Sequence, residues 1–147
     1  MVTRIIVTHG GLGQELLAAA EIIVGPLPDF RTVTLEWTDS FEEASKKTRR
    51  VLDEVDATDQ ALILTDMYGG TPYNVAASMV EQGRVEVVTG VNLPMVVRLG
   101  CPDTNDRDVT ALAEWIQAKA RKSICRAGEA NGTTNGSGVV SPESCRD

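Results

Sequence analysis

The chain holds a single histidine, His9, in the segment Thr8-His9-Gly10-Gly11, directly after an apolar run. An imidazole is nucleophilic near neutral pH because its ordinary pKa is about 6.5. Glycines beside it leave the ring uncovered and let backbone amides approach whatever the ring carries. A second segment, Asp66-Met67-Tyr68-Gly69-Gly70-Thr71-Pro72, brings a carboxylate. Asp66 can accept the hydrogen bond of one ring nitrogen and so fix the tautomer that leaves the other nitrogen free to attack. Thr71 before Pro72 reads first as a helix N-cap. The same hydroxyl, with the backbone of Gly10, Gly11 and Gly70, could equally hold phosphate oxygens. Each residue taken alone has a plainer reading: a lone histidine is most often structural, and Asp66 could simply be a turn residue.

Other chemistries lack their residues. There is no Gly-x-x-x-x-Gly-Lys-Ser/Thr sequence for a nucleotide P-loop. Gly11-Leu12-Gly13 opens a dinucleotide fingerprint and Glu36 lies where a ribose-binding acid would, but Leu16 occupies the place of the third glycine. One histidine with Cys101, Cys125 and Cys145, none in a Cys-x-x-Cys pair, assembles no zinc spacing, so no metal is expected. With 14 basic against 21 acidic residues the formal charge is −7, which argues against nucleic acid or an anionic membrane as partner. No apolar stretch reaches the roughly 20 residues of a spanning helix, and Met1 to Ile5 lacks a signal-peptide pattern, so a cytoplasmic location is expected.

The elements that must position these residues follow from apolar periodicity. Strand-length apolar runs alternate with stretches of 3.6-residue period, the pattern of an α/β fold with a parallel sheet covered by helices. Arg4 to Thr8 is β-branched and lacks polar alternation, as a central strand covered on both faces would be. Leu12, Leu16, Leu17, Ala20, Ile23 and Val24 recur at helical spacing until Gly25-Pro26 stops the helix. Arg31 to Trp37 reads as a second strand. Ser40-Phe41-Glu42-Glu43 is a capping box opening a helix whose face runs from Phe41 to Val55. Ala61 to Thr65 is a third strand, followed by a helix from Thr71 to about Gln82; Val85 to Thr89 is a fourth strand. Leu93 to Leu99 begins a helix at Pro94, and a longer helix runs from about Asp106 to Ala120. Ser123-Ile124-Cys125 could add a short edge strand. Residues 1–126 are thus expected to form one domain and residues 127–147, with little to bury, a disordered tail.

In an open parallel sheet, ligands bind beyond the carboxyl ends of the strands. The loops leaving three strands carry His9-Gly10-Gly11, Asp66 to Thr71, and Gly90-Val91-Asn92-Leu93-Pro94. Helix N-termini aimed at that edge offer unpaired amides and a positive dipole end, which suits a phosphoryl group without a basic cluster.

At Thr8-His9-Gly10, Asp66-Met67-Tyr68-Gly69-Gly70-Thr71-Pro72-Tyr73-Asn74 and Gly90-Val91-Asn92-Leu93-Pro94-Met95, the chain resembles the IIA component of the mannose-type sugar phosphotransferase system (PTS). The likeness covers roughly residues 2 to 126, its three motifs in family order. The resemblance implies that His9 is a transient phosphohistidine, that Asp66 orients its ring, and that Thr71 helps hold the phosphoryl group. It also implies a four-stranded parallel sheet of order 2-1-3-4 flanked by helices, with a short antiparallel C-terminal edge strand, and a homodimer. By the same token the partners are the carrier protein HPr and a IIB component serving a membrane permease (IIC/IID), and no cofactor is required. A mannose-type IIB needs a histidine of its own, so the IIB is expected on a separate chain. Two other readings share the site: the phosphotransfer subunit of a dihydroxyacetone kinase, where a serine is expected in place of Gly10, and a regulatory protein read by a partner in its phosphorylated state.

Overall fold

A computed structural model of the protein describes residues 1–126; the expected tail, 127–147, lies outside the described residues. Four parallel strands, β1 (Val2–His9), β2 (Phe30–Leu35), β3 (Gln60–Thr65) and β4 (Val85–Thr89), form one sheet in the order β2-β1-β3-β4. The helices are α1 (Leu12–Val24), α2 (Phe41–Leu52), α3 (Thr71–Ala77), α4 (Leu93–Leu99) and α5 (Val109–Arg121), with a 3₁₀ turn at Pro102–Thr104.

β1 is central because both of its faces are covered. Ile6 packs into a core with α1, α4 and α5, while Ile5 and Val7 pack into a second core with α2 and α3. Each of these three side chains is fully buried, a contribution of about 2 to 3 kcal/mol apiece from apolar surface removed from water. Arg4 in the same strand is 2% exposed. Its guanidinium donates to the Val2 carbonyl and to Thr104 Oγ1, and burial pulls its pKa below the ordinary arginine value while Asp29 opposes the shift. This clasp ties the 3₁₀ turn to the end of the sheet opposite His9.

The α/β architecture and strand order agree with the sequence reading, with differences at the ends of elements. β2 ends at Leu35, leaving Trp37 beyond the sheet. α2 stops at Leu52, and a turn rather than a further helical turn brings Val55 back into the core. α3 ends at Ala77 rather than near Gln82: Ser78 Oγ donates to the Val75 carbonyl, Met79 drops into the core, and Glu81 bridges Val85 to turn the chain into β4. α5 starts at Val109 because the Asp108 carboxylate caps it by accepting from the Ala111 amide. On α1, Leu12, Ile23 and Val24 are exposed; the face that meets the sheet is Gly13, Leu16, Leu17 and Ala20. Ser123 closes α5 in a turn and residues 124–126 form no strand, so the sheet has four strands among the described residues.

Candidate functional site

β1 delivers His9 to the carboxyl edge of the sheet, and β3, its neighbour, ends one residue before Asp66. The parallel register pairs Val7 with Thr65, so the two side chains emerge side by side from adjacent strand ends. Asp66 Oδ2 accepts the backbone N–H of His9 at 2.8 Å and lies 2.7 Å from the ring Nδ1. Asp66 Oδ1 accepts the Met67 amide at 2.9 Å. An ionised carboxylate can only accept, so Nδ1 carries the proton and Nε2 presents its lone pair. The His9 side chain is 43% exposed and that of Asp66 11%, which puts the carboxylate beneath and the imidazole toward solvent.

The glycines shape this corner. Gly10 has φ +54°, a conformation that side chains rarely adopt, and its N–H donates to the Leu35 carbonyl at 2.9 Å, which reverses the chain directly after His9. Gly11 occupies the N-cap of α1. Gly70 faces the ring itself: a methyl there would lie 3.0 Å from His9 Cε1 and 3.6 Å from Nε2. Gly70, not Thr71, is the N-cap of α3. Thr71 is the first helical residue, half-buried, and Pro72 follows it at a position where a missing N–H costs nothing. First-turn amides have no carbonyl acceptor within their own helix, and at α1 the Gly13 amide is taken up by Thr8 Oγ1.

The third loop is tied to the end of the neighbouring strand β3: the Gly90 and Val91 amides both donate to the Thr65 carbonyl, and Asn92 caps α4 by accepting from the Met95 amide. No hydrogen bond joins this loop to His9 among the described residues. Nor do the described residues contain a group of three or more His, Cys, Asp or Glu placed to hold a metal, and none of their helices is long and apolar enough to cross a membrane.

Two residues have roles that their motifs do not disclose. Thr8, fully buried, accepts the Gly13 amide at 2.8 Å and so ties α1 to the strand that carries His9. Gly13, which counted only as part of a failed dinucleotide fingerprint, is a point of close approach between α1 and β1: a methyl there would lie 3.0 Å from Ile6 Cγ2 and 3.1 Å from Thr8 Oγ1. The helical spacing of Gly13 with Ala20, both small, was the available signal.

Comparison with known proteins bears on this site. The family model for PTS system fructose IIA component, EIIA-man, matches residues 3–117. The PTS system mannose-specific EIIAB component of Escherichia coli (strain K12) is 33% identical over 94 residues, 63% of this chain and 29% of that protein. The chain therefore spans less than a third of that relative's length. The PTS system fructose-specific EIIA component of Bacillus subtilis (strain 168) is 30% identical over 100 residues, covering 67% of this chain and 68% of that one. Among solved structures, the mannose/sorbose specific IIA subunit of the phosphotransferase system from Enterococcus faecalis superposes with a TM-score of 0.76 at 29% identity, over 84% of this chain and 92% of that one.

Proposed function

Since the chain belongs to the EIIA-man family of PTS IIA components, we propose that it is a histidine phosphocarrier in which His9 accepts a phosphoryl group from phospho-HPr and passes it to a separate IIB component. The IIB in turn phosphorylates sugar at a membrane permease. The observation that carries this reading is the placement of both His9 N–H groups on one oxygen of Asp66. With Nδ1 protonated and held, the Nε2 lone pair forms the new bond to phosphorus as the N–P bond of the donor breaks. The electron pair of the broken bond stays on the donor imidazole. Nδ1 keeps its proton, and the carboxylate beside it offsets the positive charge that develops on the ring. Transfer onward to IIB reverses these roles.

Because donor and acceptor are both imidazoles, the exchange is near balance in energy, and positioning with amide stabilisation of the moving phosphoryl group suffices. Gly10, Gly11 and Gly70 keep the space around Nε2 clear, and Thr71 adds its hydroxyl and amide to the anion's surroundings. Under this reading the protein acts in the cytoplasm, as a homodimer.

The test is incubation with phosphoenolpyruvate, enzyme I and HPr. An acid-labile, base-stable label should appear on the wild type and be absent from folded His9→Ala. On addition of a co-encoded IIB the label should leave within seconds. Label that stays on the protein while HPr still donates would favour a regulator over a relay.

A further inference from the structure

Three large apolar side chains stand uncovered beside His9. Trp37 is 95% exposed, Tyr68 75% and Met67 57%, although tryptophan is among the residues most buried on average. The sheet order places them on opposite sides of the histidine, since β2 flanks β1 on one side and β3 on the other. His9 pairs with Leu35, and Trp37 follows two residues later, so its Cα lies within about 12 Å of that of His9. On the other flank a methyl at Gly70 would meet Met67 Cγ at 3.3 Å as well as the His9 ring, and the Tyr68 ring is held 4.7 Å from that of Tyr73.

A protein that exchanges a phosphoryl group with Nε2 must bring its own reactive atom to within bonding reach of it. A specific contact covers about 800 Å² on each partner, a disc with a radius of roughly 16 Å, so the donor's surface extends over both flanks. Buried aromatic side chains dominate the affinity of such contacts, with tryptophan foremost. We propose that Trp37 on one flank and Met67 with Tyr68 on the other form a split apolar anchor for the carrier protein HPr, with Trp37 the principal contact. This rests on the phosphocarrier reading above. The partner that fits presents apolar side chains on both sides of its phosphohistidine. A polyanion such as nucleic acid or an anionic membrane is disfavoured by the charge of −7.

The anchor acts through affinity, not through the chemical step. Trp37→Ala should therefore raise the KM for phospho-HPr at least tenfold while kcat stays within about twofold of wild type, and Trp37→Phe should recover part of the loss. Trp37 touches no core, so the unfolding midpoint should not move. In a Trp115→Phe background, where Trp37 is the sole tryptophan, unphosphorylated HPr should shift its emission to the blue. A folded Trp37→Ala protein labelled on His9 with unchanged KM would overturn the anchor alone. A wild-type protein that takes no label from phospho-HPr would overturn the anchor together with the phosphocarrier reading. Emission that responds to anionic lipid vesicles but not to HPr would assign the flanks to a membrane and overturn it as well.

Discussion

A single oxygen of Asp66, Oδ2, accepts both the main-chain amide of His9 at 2.8 Å and the ring Nδ1–H at 2.7 Å. The ring is thereby fixed relative to its own backbone, and the strand that carries the histidine also sets the direction in which Nε2 faces. A two-point hold of this kind removes rotational freedom that a reaction at Nε2 would otherwise have to overcome.

Asp66→Asn should slow phosphotransfer by about 10² to 10⁴, the range for a positioned acid–base partner, since a neutral amide compensates a cationic ring poorly and can offer the ring a donor instead of an acceptor. The side chain lies at the sheet edge, outside both apolar cores, so the fold should persist. Rapid-quench kinetics with phospho-HPr, paired with a melting curve, measures both; an unchanged rate would mean that another group orients His9.

Gly70→Ala separates ring crowding from backbone strain. Gly70 has φ −78°, which alanine adopts freely, but the added methyl would press on His9 Cε1 at 3.0 Å and on Met67 Cγ at 3.3 Å. We expect a roughly tenfold loss of transfer rate, comparable to other small misplacements of a reacting group, with stability unaltered. Full activity in this variant would show that the ring can shift without consequence.

Thr8→Val removes the buried acceptor of the Gly13 amide and should lower the unfolding free energy by about 1 to 3 kcal/mol, the cost of an unpaired buried donor. Thr8→Ser keeps the hydroxyl and should recover most of it. Urea denaturation of the three proteins decides the matter, and equal midpoints for Thr8→Val and wild type would mean that the Gly13 amide finds another partner.

Acid should loosen the start of α2. A hydrogen bond from Lys47, aided by the Glu36 amide, holds the Asp39 carboxyl below its ordinary range, and the Ser40 amide and hydroxyl do the same for Glu43. A carboxyl whose folded pKa is depressed stabilises the fold above its unfolded pKa of about 4, and that contribution disappears as pH falls through the folded value. The difference in melting temperature between wild type and Asp39→Asn should therefore be largest near neutrality and shrink below about pH 4. A constant difference across that range would show that the Lys47 contact contributes nothing through charge.

Much of the fold is legible along the chain because its signals are local. The capping box at Ser40 and Glu43 forms as its residue types imply, with both reciprocal hydrogen bonds present. Arg4 to Thr8 lies within the central strand that its uninterrupted β-branched composition calls for. Chemical type singles out His9, the only imidazole, and the turn after β3 singles out Asp66.

What periodicity and residue type could not settle is where long-range contact outweighs local preference. Thr71 is the better N-cap by residue type, yet Gly70 occupies the cap, where the chain passes so close to the His9 ring that a Cβ would meet it at 3.0 Å. α3 ends at Ala77, earlier than its apolar spacing suggests, because Met79 is drawn into the core and Glu81 must reach Val85. Whether Trp37 lies in the core or in solvent depends on where β2 leaves β1, at the Leu35 that pairs with His9. The bond between His9 and Asp66 joins residues 57 positions apart, and no local propensity spans that distance. It exists because β1 and β3 pair in parallel with Val7 opposite Thr65, a register set by burying both faces of the sheet at once.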